Sequence, residues 1–333
     1  MDAAQRAQVQ QRLEGIYARH LELGDAQRQV DRYYSSPRGY YPPAEAGPEA
    51  NHFAICLVSV DGDIVTAGDA DLPFALQSLS KVFAYGLALR EQGSEAVLKR
   101  VGVKPSADAF TSLEYDEANH RPFNPMVNGG ALAVADMLLD GDVEQSFEPI
   151  LELLRACAGN HEIGPDEDVY AAEQQGADRN RAMAYLMRSE GMLEHDVIPT
   201  LSLYLRQCSV AVTCRDLAMM GATLANGCSN PITGESALPR RCARDVLSVM
   251  YTCGMYDFAG EWAYEVGVPA KSGVSGGILA VIPGKMGIAV YSPGLDRYGN
   301  SVRGITVCRE ISERRGLHVF ATEAEESLLG ATT

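Results

Sequence analysis

The chain has 333 residues, 46% of them hydrophobic, which is enough for a large buried core and excludes disorder as its main state. Its 44 acidic and 28 basic residues leave a net charge of −16, which excludes nucleic acid and other polyanions as partners, because phosphate binding needs clustered Lys and Arg. No window approaches the run of about 20 apolar residues that a membrane span needs, and "MDAAQRAQVQQRLEGIYARH" lacks a signal peptide's apolar centre, so a soluble, cytoplasmic protein without membrane contact is expected.

Residues 2–23 carry helical periodicity through Val9, Leu13, Ile16, Tyr17 and Leu21, and the proline-rich, tyrosine-rich "YYSSPRGYYPPAEAGPEA" then breaks regular structure. In "HFAICLVSVDGDIVTAGDA" apolar residues alternate on both sides of Asp61-Gly62, a dipeptide suited to a tight hairpin, so two antiparallel strands are expected. "FALQSLSKVFAY" turns helical, with an apolar helix from Lys81 to Gln92 closed by Gly93. Residues 95–226 read as mostly helical, ending in a helix with Thr213 as N-cap, Asp216 three residues on and Gly227 as C-cap.

Another helix follows in "PRRCARDVLSVMYTCG", then two or three short strands in "AKSGVSGGILAVIPGKMGIAVYSPG", then an amphipathic helix over about 298–315. Strands near both ends with helices between them predict an α+β fold. The antiparallel sheet, flanked by helices, is joined from residues 41–94 and 227–333; residues 95–226 form an inserted helical subdomain, and residues 1–40 an N-terminal helix and linker. The eight cysteines are scattered among apolar neighbours without a C-x-x-C pair or a Cys/His cluster, so reduced structural thiols and no metal site are expected.

In "QSLSK", Ser78 and Lys81 are three residues apart and share a helix face, whereas Ser80 does not share the face of Lys81. A serine hydroxyl becomes a nucleophile when a neighbouring base takes its proton, and a lysine serves only if its amine is neutral. That requires lowering its pKa from about 10.4 by roughly 3, or about 4 kcal/mol of differential solvation, which a buried helix start supplies. Taken alone, Ser-x-x-Lys also fits a capping serine and a snorkelling lysine. The distant Lys271-Ser272-Gly273 on a predicted strand tips the balance, since S-x-x-K followed much later by K-T-G is the order of penicillin-binding proteins and class A β-lactamases.

"QSLSKVF", "PFNPMVNGGAL", "GADRNRAMAYLM", "LANGCSNPITGE", "SVMYTCGMYDFAGEWAYEVGVPAKSGVSGGI" and "GNSVRGI", in this order between about residues 40 and 310, resemble the serine-dependent glutaminases, whose fold is β-lactamase/transpeptidase-like. The resemblance implies hydrolysis of L-glutamine to L-glutamate and ammonia through a serine acyl-enzyme, with no metal or organic cofactor. It implies Ser78 as nucleophile, Lys81 as its activating partner and Tyr256 as an active-site tyrosine assisting proton transfer; either Lys81 or Tyr256 could be the base. For the substrate it implies Glu173 at the α-ammonium, Asn128, Asn180 and Tyr204 around the α-carboxylate, and Tyr40 of a Y-x-P element, with Tyr41 its rival. The Val274 N–H, with that of Ser78, would form the oxyanion hole.

Phe123 stands where the family often has histidine, which would alter hydrogen bonding in a loop over residues 110–123 that is expected to act as a lid. The resemblance also implies dimers of dimers, a homotetramer for which the N-terminal helix offers one contact, and no ankyrin-type extension beyond residue 333. Two other functions share parts of the pattern. A β-lactamase-like esterase or peptidase would keep Ser78, Lys81 and Tyr256 without needing Glu173, Asn128 and Asn180, and a glutamine or glutamate sensor would keep the pocket and tolerate Ser78→Ala.

Overall fold

The apolar alternation around Asp61-Gly62 becomes a hairpin, β1 (Ala54–Ser59) and β2 (Ile64–Gly68), in the computed structural model, which describes residues 1–21, 51–106 and 115–321. Its turn needs the left-handed backbone of Gly62, φ 86°, whose N–H donates to the Ser59 carbonyl. All six residues of β1 are buried, while β2 alternates and forms the sheet edge. The central place of β1 comes from its second neighbour: the C-terminal strands β6 (Ala270–Ser272), β7 (Gly277–Ile282) and β8 (Met286–Tyr291) complete an antiparallel sheet of order β2-β1-β8-β7-β6. The expected sheet built from both ends of the described chain is therefore present.

Strand periodicity sorts the two faces. Ile55 and Leu57 of β1, with Ile278, Ala280, Ile288 and Val290, pack under α1 (Ala3–Leu21) and the C-terminal helix over Val302–Arg315. Ala54, Cys56 and Val58, with Leu279, Val281 and Ala289, pack on the other side against the helix over Cys214–Ala225. That helix lies close because two glycines face each other: a Cβ on Gly287 would stand 2.3 Å from the Ala218 carbonyl oxygen, and one on Gly221 would stand 3.1 Å from the Gly287 Cα. The stripe of Val9, Leu13 and Ile16 on α1 is spent on its own chain's sheet, so this face of the helix expected to serve an intersubunit contact is already occupied.

Between β2 and β6 the chain is mostly helical, as its periodicity predicts. The helices are α2 (Ser80–Arg100), α3 (Asn128–Leu138), α4 (Val143–Ala158), α5 (Glu167–Gly176), α6 (Asp178–Ser189), α7 (Val197–Cys208), α8 (Cys214–Ala225), α9 (Arg240–Cys253) and α10 (Ala259–Glu265), with α11 the C-terminal helix. The Thr213/Asp216 capping box of α8 forms in both directions, and Gly227 follows the helix with φ 65°. Gly93 breaks α2 as expected, with φ 77°, but the helix resumes beyond it to Arg100.

One element has no counterpart in the sequence reading: a small sheet of β3 (Phe74–Ala75), β4 (Gly164–Pro165) and β5 (Val210–Val212), in the order β3-β5-β4. Strands of two or three residues are too short to display a period. This sheet fixes the approach to Ser78, since the Leu76 N–H donates to the Val210 carbonyl at 2.8 Å, just past the end of α7.

Candidate active site

The chain leaves β3, passes Leu76, makes a single 3-10 turn over Gln77–Leu79 and runs into α2. Gln77 is left-handed, φ 51°, an unusual conformation for a residue with a Cβ, and its surroundings hold it there. Its carbonyl accepts the Ser80 hydroxyl at 2.7 Å, and its side-chain amide donates to Glu173 Oε1 at 3.1 Å. The two serines of the motif are thus separated: Ser80 is fully buried and spends its hydroxyl on a local carbonyl, while Ser78 keeps 7% exposure.

Lys81 lies one turn further, almost wholly buried at 1% exposure. Its Nζ donates to Asn128 Oδ1 at 2.6 Å and to the Met126 carbonyl at 3.1 Å, and stands 5.8 Å from the centre of the Tyr204 ring. Burial brings its pKa down to about 8, with Cys208 opposing. Among the described residues it forms no ion pair with a carboxylate.

Asn128 opens α3 and acts as the junction of the polar residues. Its Oδ1 also accepts the Tyr204 hydroxyl at 3.4 Å, and its Nδ2 donates to Asn180 Oδ1 at 2.9 Å. That bond leaves the amide nitrogen of Asn180 to turn elsewhere. Burial pushes the Tyr204 phenol well above its ordinary range, so it is a neutral donor. On α5 the one buried residue is an acid, Glu173. A helix whose one buried side chain is a carboxylate is placing a negative charge where a cation can meet it.

A second group closes the site from the C-terminal strands. Tyr256 sits in a 3-10 turn with φ 53°, and its hydroxyl donates to the Ser272 carbonyl at 2.9 Å. Lys271 Nζ donates to the same carbonyl at 2.6 Å and lies 4.2 Å from the centre of the Tyr256 ring. Burial, then the charge of Lys81, hold the Lys271 amine well below the usual lysine range. A Cβ on Gly273 would come within 3.1 Å of the Leu76 carbonyl and of Leu79, which presses the strand end carrying half-buried Val274 against the Ser78 turn. Beside Tyr256 opens a cavity of about 280 Å³, bounded also by Met126, Cys253, Asp257, Gly260 and Ala263.

Of the residues singled out by sequence, Lys81, Asn128, Asn180 and Tyr204 form one hydrogen-bonded network, Glu173 joins the Ser78 turn through Gln77, and Tyr256 joins the Lys-Ser-Gly strand. Tyr40 and Tyr41 lie outside the described residues, as do residues 110–114 of the expected lid. The rest of that loop is tied to Asp116, which accepts from Lys104 at 2.8 Å and from Asn119 at 2.7 Å. Phe123 acts there through its backbone, its carbonyl accepting the Lys104 N–H at 2.9 Å. Sequence reasoning missed Gln77, the Met126 and Ser272 carbonyls and the placement of Lys271, of which only Lys271 had a signal, in the Lys-Ser-Gly motif. Among the described residues no group of three or more His, Cys, Asp or Glu is arranged to hold a metal ion.

Comparison with known proteins shows the family. The family profile described as Glutaminase matches residues 39–320. The glutaminase of Trichormus variabilis is 51% identical over 280 residues, 84% of this chain and 84% of its own, and that of Microcystis aeruginosa is 48% identical over 281 residues, 84% of this chain and 82% of its own. Among solved structures, a Bacillus glutaminase in the presence of 4.3 M NaCl matches with a TM-score of 0.79 at 36% identity, covering 89% of this chain and 100% of that one. Mglu in its glutamate form matches with a TM-score of 0.78 at 43% identity, covering 85% of this chain and 65% of that one.

Proposed function

The chain belongs to the glutaminase family, with the β-lactamase-like fold of its relatives and their hydrolysis of glutamine, and from this premise we propose that it works through a γ-glutamyl ester on Ser78. Ser78 Oγ attacks the side-chain carboxamide carbon, and the oxyanion is held by the Ser78 and Val274 N–H groups. Ammonia leaves, and water then hydrolyses the ester.

The observation that carries this reading is Lys81, a buried amine one helical turn from Ser78 with its pKa brought to about 8. Its contacts are two acceptors, the Met126 carbonyl and Asn128 Oδ1. A neutral amine has two N–H groups for these acceptors and one lone pair left to take the Ser78 proton. At pH 7 about a tenth of the enzyme would hold Lys81 in that form. Lys81 is therefore the base, and Tyr256, whose hydroxyl rests on the Ser272 carbonyl, relays a proton to the departing nitrogen.

The remaining polar groups read a free amino acid. Glu173 receives the α-ammonium, and Asn180 and Tyr204 offer donors to the α-carboxylate around Asn128, with Tyr40 completing the pocket. A site built of such fixed partners discriminates strongly against a substrate lacking them, such as a glutaminyl peptide. The reading extends to a homo-oligomer, dimer or tetramer, and to a cytoplasmic location, where a reducing environment suits eight buried, unpaired cysteines.

The test is ammonia release from L-glutamine by the wild type and by Ser78→Ala, with mass analysis of acid-quenched enzyme. A drop of about a thousandfold or more in Ser78→Ala, and a γ-glutamyl adduct on the wild-type Ser78 peptide, are expected. Equal release by the two proteins would refute the assignment.

A further inference from the structure

The turn that carries Ser78 is held from its buried side by Ser80, which gives the Gln77 carbonyl two donors: the backbone N–H that closes the 3-10 turn, and the hydroxyl at 2.7 Å. A carbonyl oxygen has two lone pairs, so one residue saturates this acceptor. The Ser80 hydroxyl has a single proton, and the Gln77 carbonyl takes it. The 3.8 Å contact between Ser80 Oγ and Cys208 Sγ thereby acquires a direction: the thiol donates and the hydroxyl oxygen accepts. Burial pushes the Cys208 thiol up to about 12, so it keeps the proton that this donation needs. Both side chains are buried, and bulk water does not compete for either bond.

The line from thiol to hydroxyl to carbonyl ends on a peptide unit that belongs to the chemistry. The Gln77 carbonyl and the Ser78 N–H share one planar trans peptide, in which the two bonds point in opposite directions. Whatever fixes the Gln77 oxygen also aims the Ser78 N–H. Gln77 is left-handed, φ 51°, a conformation that a residue with a Cβ leaves when it is free to do so, and the aim has to be imposed from outside the peptide. Resting on the assignment of Ser78 as nucleophile and oxyanion donor, we propose that Ser80 and Cys208 are positioning residues of the oxyanion hole: the thiol orients the Ser80 hydroxyl, the hydroxyl fixes the Gln77 carbonyl, and the shared peptide directs the Ser78 N–H at the oxyanion. Neither side chain touches glutamine. The pair acts on charge that develops only during attack, so it contributes to turnover, while ground-state binding rests on Glu173, Asn180 and Tyr204. The Tyr204 hydroxyl also faces the thiol, so a double variant is needed to show through which neighbour Cys208 acts.

The experiment measures L-glutamine turnover by Ser80→Ala, Cys208→Ala, the double variant and Ser78→Ala. Each kcat is expressed per L-glutamate-binding site counted by titration calorimetry, which keeps unfolded protein out of the rate. Ser80→Ala is expected to lose about ten- to a hundredfold in kcat, less than outright removal of an oxyanion donor, with KM and glutamate affinity within about threefold of wild type. Cys208→Ala is expected to lose about threefold in kcat, and nothing further where Ser80 is already alanine, because the thiol acts through the hydroxyl. Wild-type kcat in Ser80→Ala, a loss confined to KM, or an undiminished Cys208→Ala effect in the double variant would overturn the assignment. If Ser80→Ala shows no binding sites, Cys208→Ala and Ser80→Cys, which keeps a weaker donor in place, decide it: a reduced kcat at unchanged KM in both supports the positioning role, and wild-type kcat in either overturns it. Inactive Ser78→Ala beside fully active Ser80→Ala leaves the acyl-enzyme standing without this positioning pair. Fully active Ser78→Ala removes the acyl-enzyme and the positioning role with it.

Discussion

Lys81 and Asn128 are joined by a 2.6 Å hydrogen bond from Nζ to Oδ1 that spans 47 residues of sequence. Because Asn128 Oδ1 also accepts the Tyr204 hydroxyl while its Nδ2 donates to Asn180, one side chain ties the amine near Ser78 to the groups proposed to read the substrate. Replacing that acceptor by a charged one therefore has a defined sign. A carboxylate at position 128 favours the protonated amine and raises its pKa from about 8. Asn128→Asp should displace the rising limb of kcat/KM to higher pH by about 1 or more and lower the rate at pH 7 about tenfold or more. A pH–rate profile with an unmoved limb would remove Lys81 from the role of base.

The same amine sets a stability cost with its own pH dependence. Its folded pKa of about 8 lies below the ordinary 10.5, so between these values the unfolded chain holds more protons and stability rises with pH. At pH 7 keeping Lys81 buried costs about 3 kcal/mol. Lys81→Met should be inactive yet more resistant to urea than wild type at pH 7, with the advantage shrinking above pH 8 and largely gone near pH 10.5. Urea melts at the two pH extremes decide it, and a variant less stable at both contradicts the sign.

Gln77 separates function from strain. Gln77→Ala and Gln77→Gly both lose the amide that donates to Glu173, so both should raise KM for glutamine. Only glycine relieves the left-handed backbone of φ 51°, so Gln77→Gly should be about 1 kcal/mol more stable than Gln77→Ala. Equal stability of the pair would mean that the backbone there carries no strain.

Two other glycines give opposite signs for one substitution. Gly287→Ala drives a methyl to 2.3 Å from backbone atoms of Ala218 and Ala222, so strand and helix must part, at about 1–3 kcal/mol or more. Gly15→Ala lies within α1, where the added Cβ meets only the Arg19 side-chain tip at 3.4 Å, and should stabilise by about 0.5–1 kcal/mol. Thermal melts of the two variants should move in opposite directions.

Much of the fold was legible in the chain, for identifiable reasons. The hairpin at Asp61-Gly62, the capping box at Thr213 and the C-terminal strands rest on local chemistry that a short window displays. The spacing of Ser78 and Lys81 singles them out, whereas Asn128, Glu173, Asn180, Tyr204 and Tyr256 are picked out only by the family resemblance. The two-residue strands β3 and β4 have no period, and the Met126 and Ser272 carbonyls are backbone acceptors that any residue could supply. The break in α2 at Gly93 was visible and its resumption was not, because a glycine marks where a helix stops and carries no information about the residues beyond it. The choice between Lys81 and Tyr256 is open in the sequence because it turns on partners that no motif displays: Lys81 donates to the Met126 carbonyl and to Asn128, and Tyr256 to the Ser272 carbonyl.

The order of strands in the larger sheet also fixes when the enzyme can come to life. β1 leaves the ribosome early, but its inner neighbour β8 pairs Cys56 with Ala289, and Val58 with Gly287. At about 5–20 residues per second, the nascent chain waits roughly 11–46 s between these two strands with an apolar edge unpaired. Lys271 and Tyr256 belong to the same late segment, so Ser78 is translated long before its surroundings exist. Until then the half-made chain is catalytically silent and at its most vulnerable to aggregation, and a slowing of translation after β1 would lengthen both conditions together.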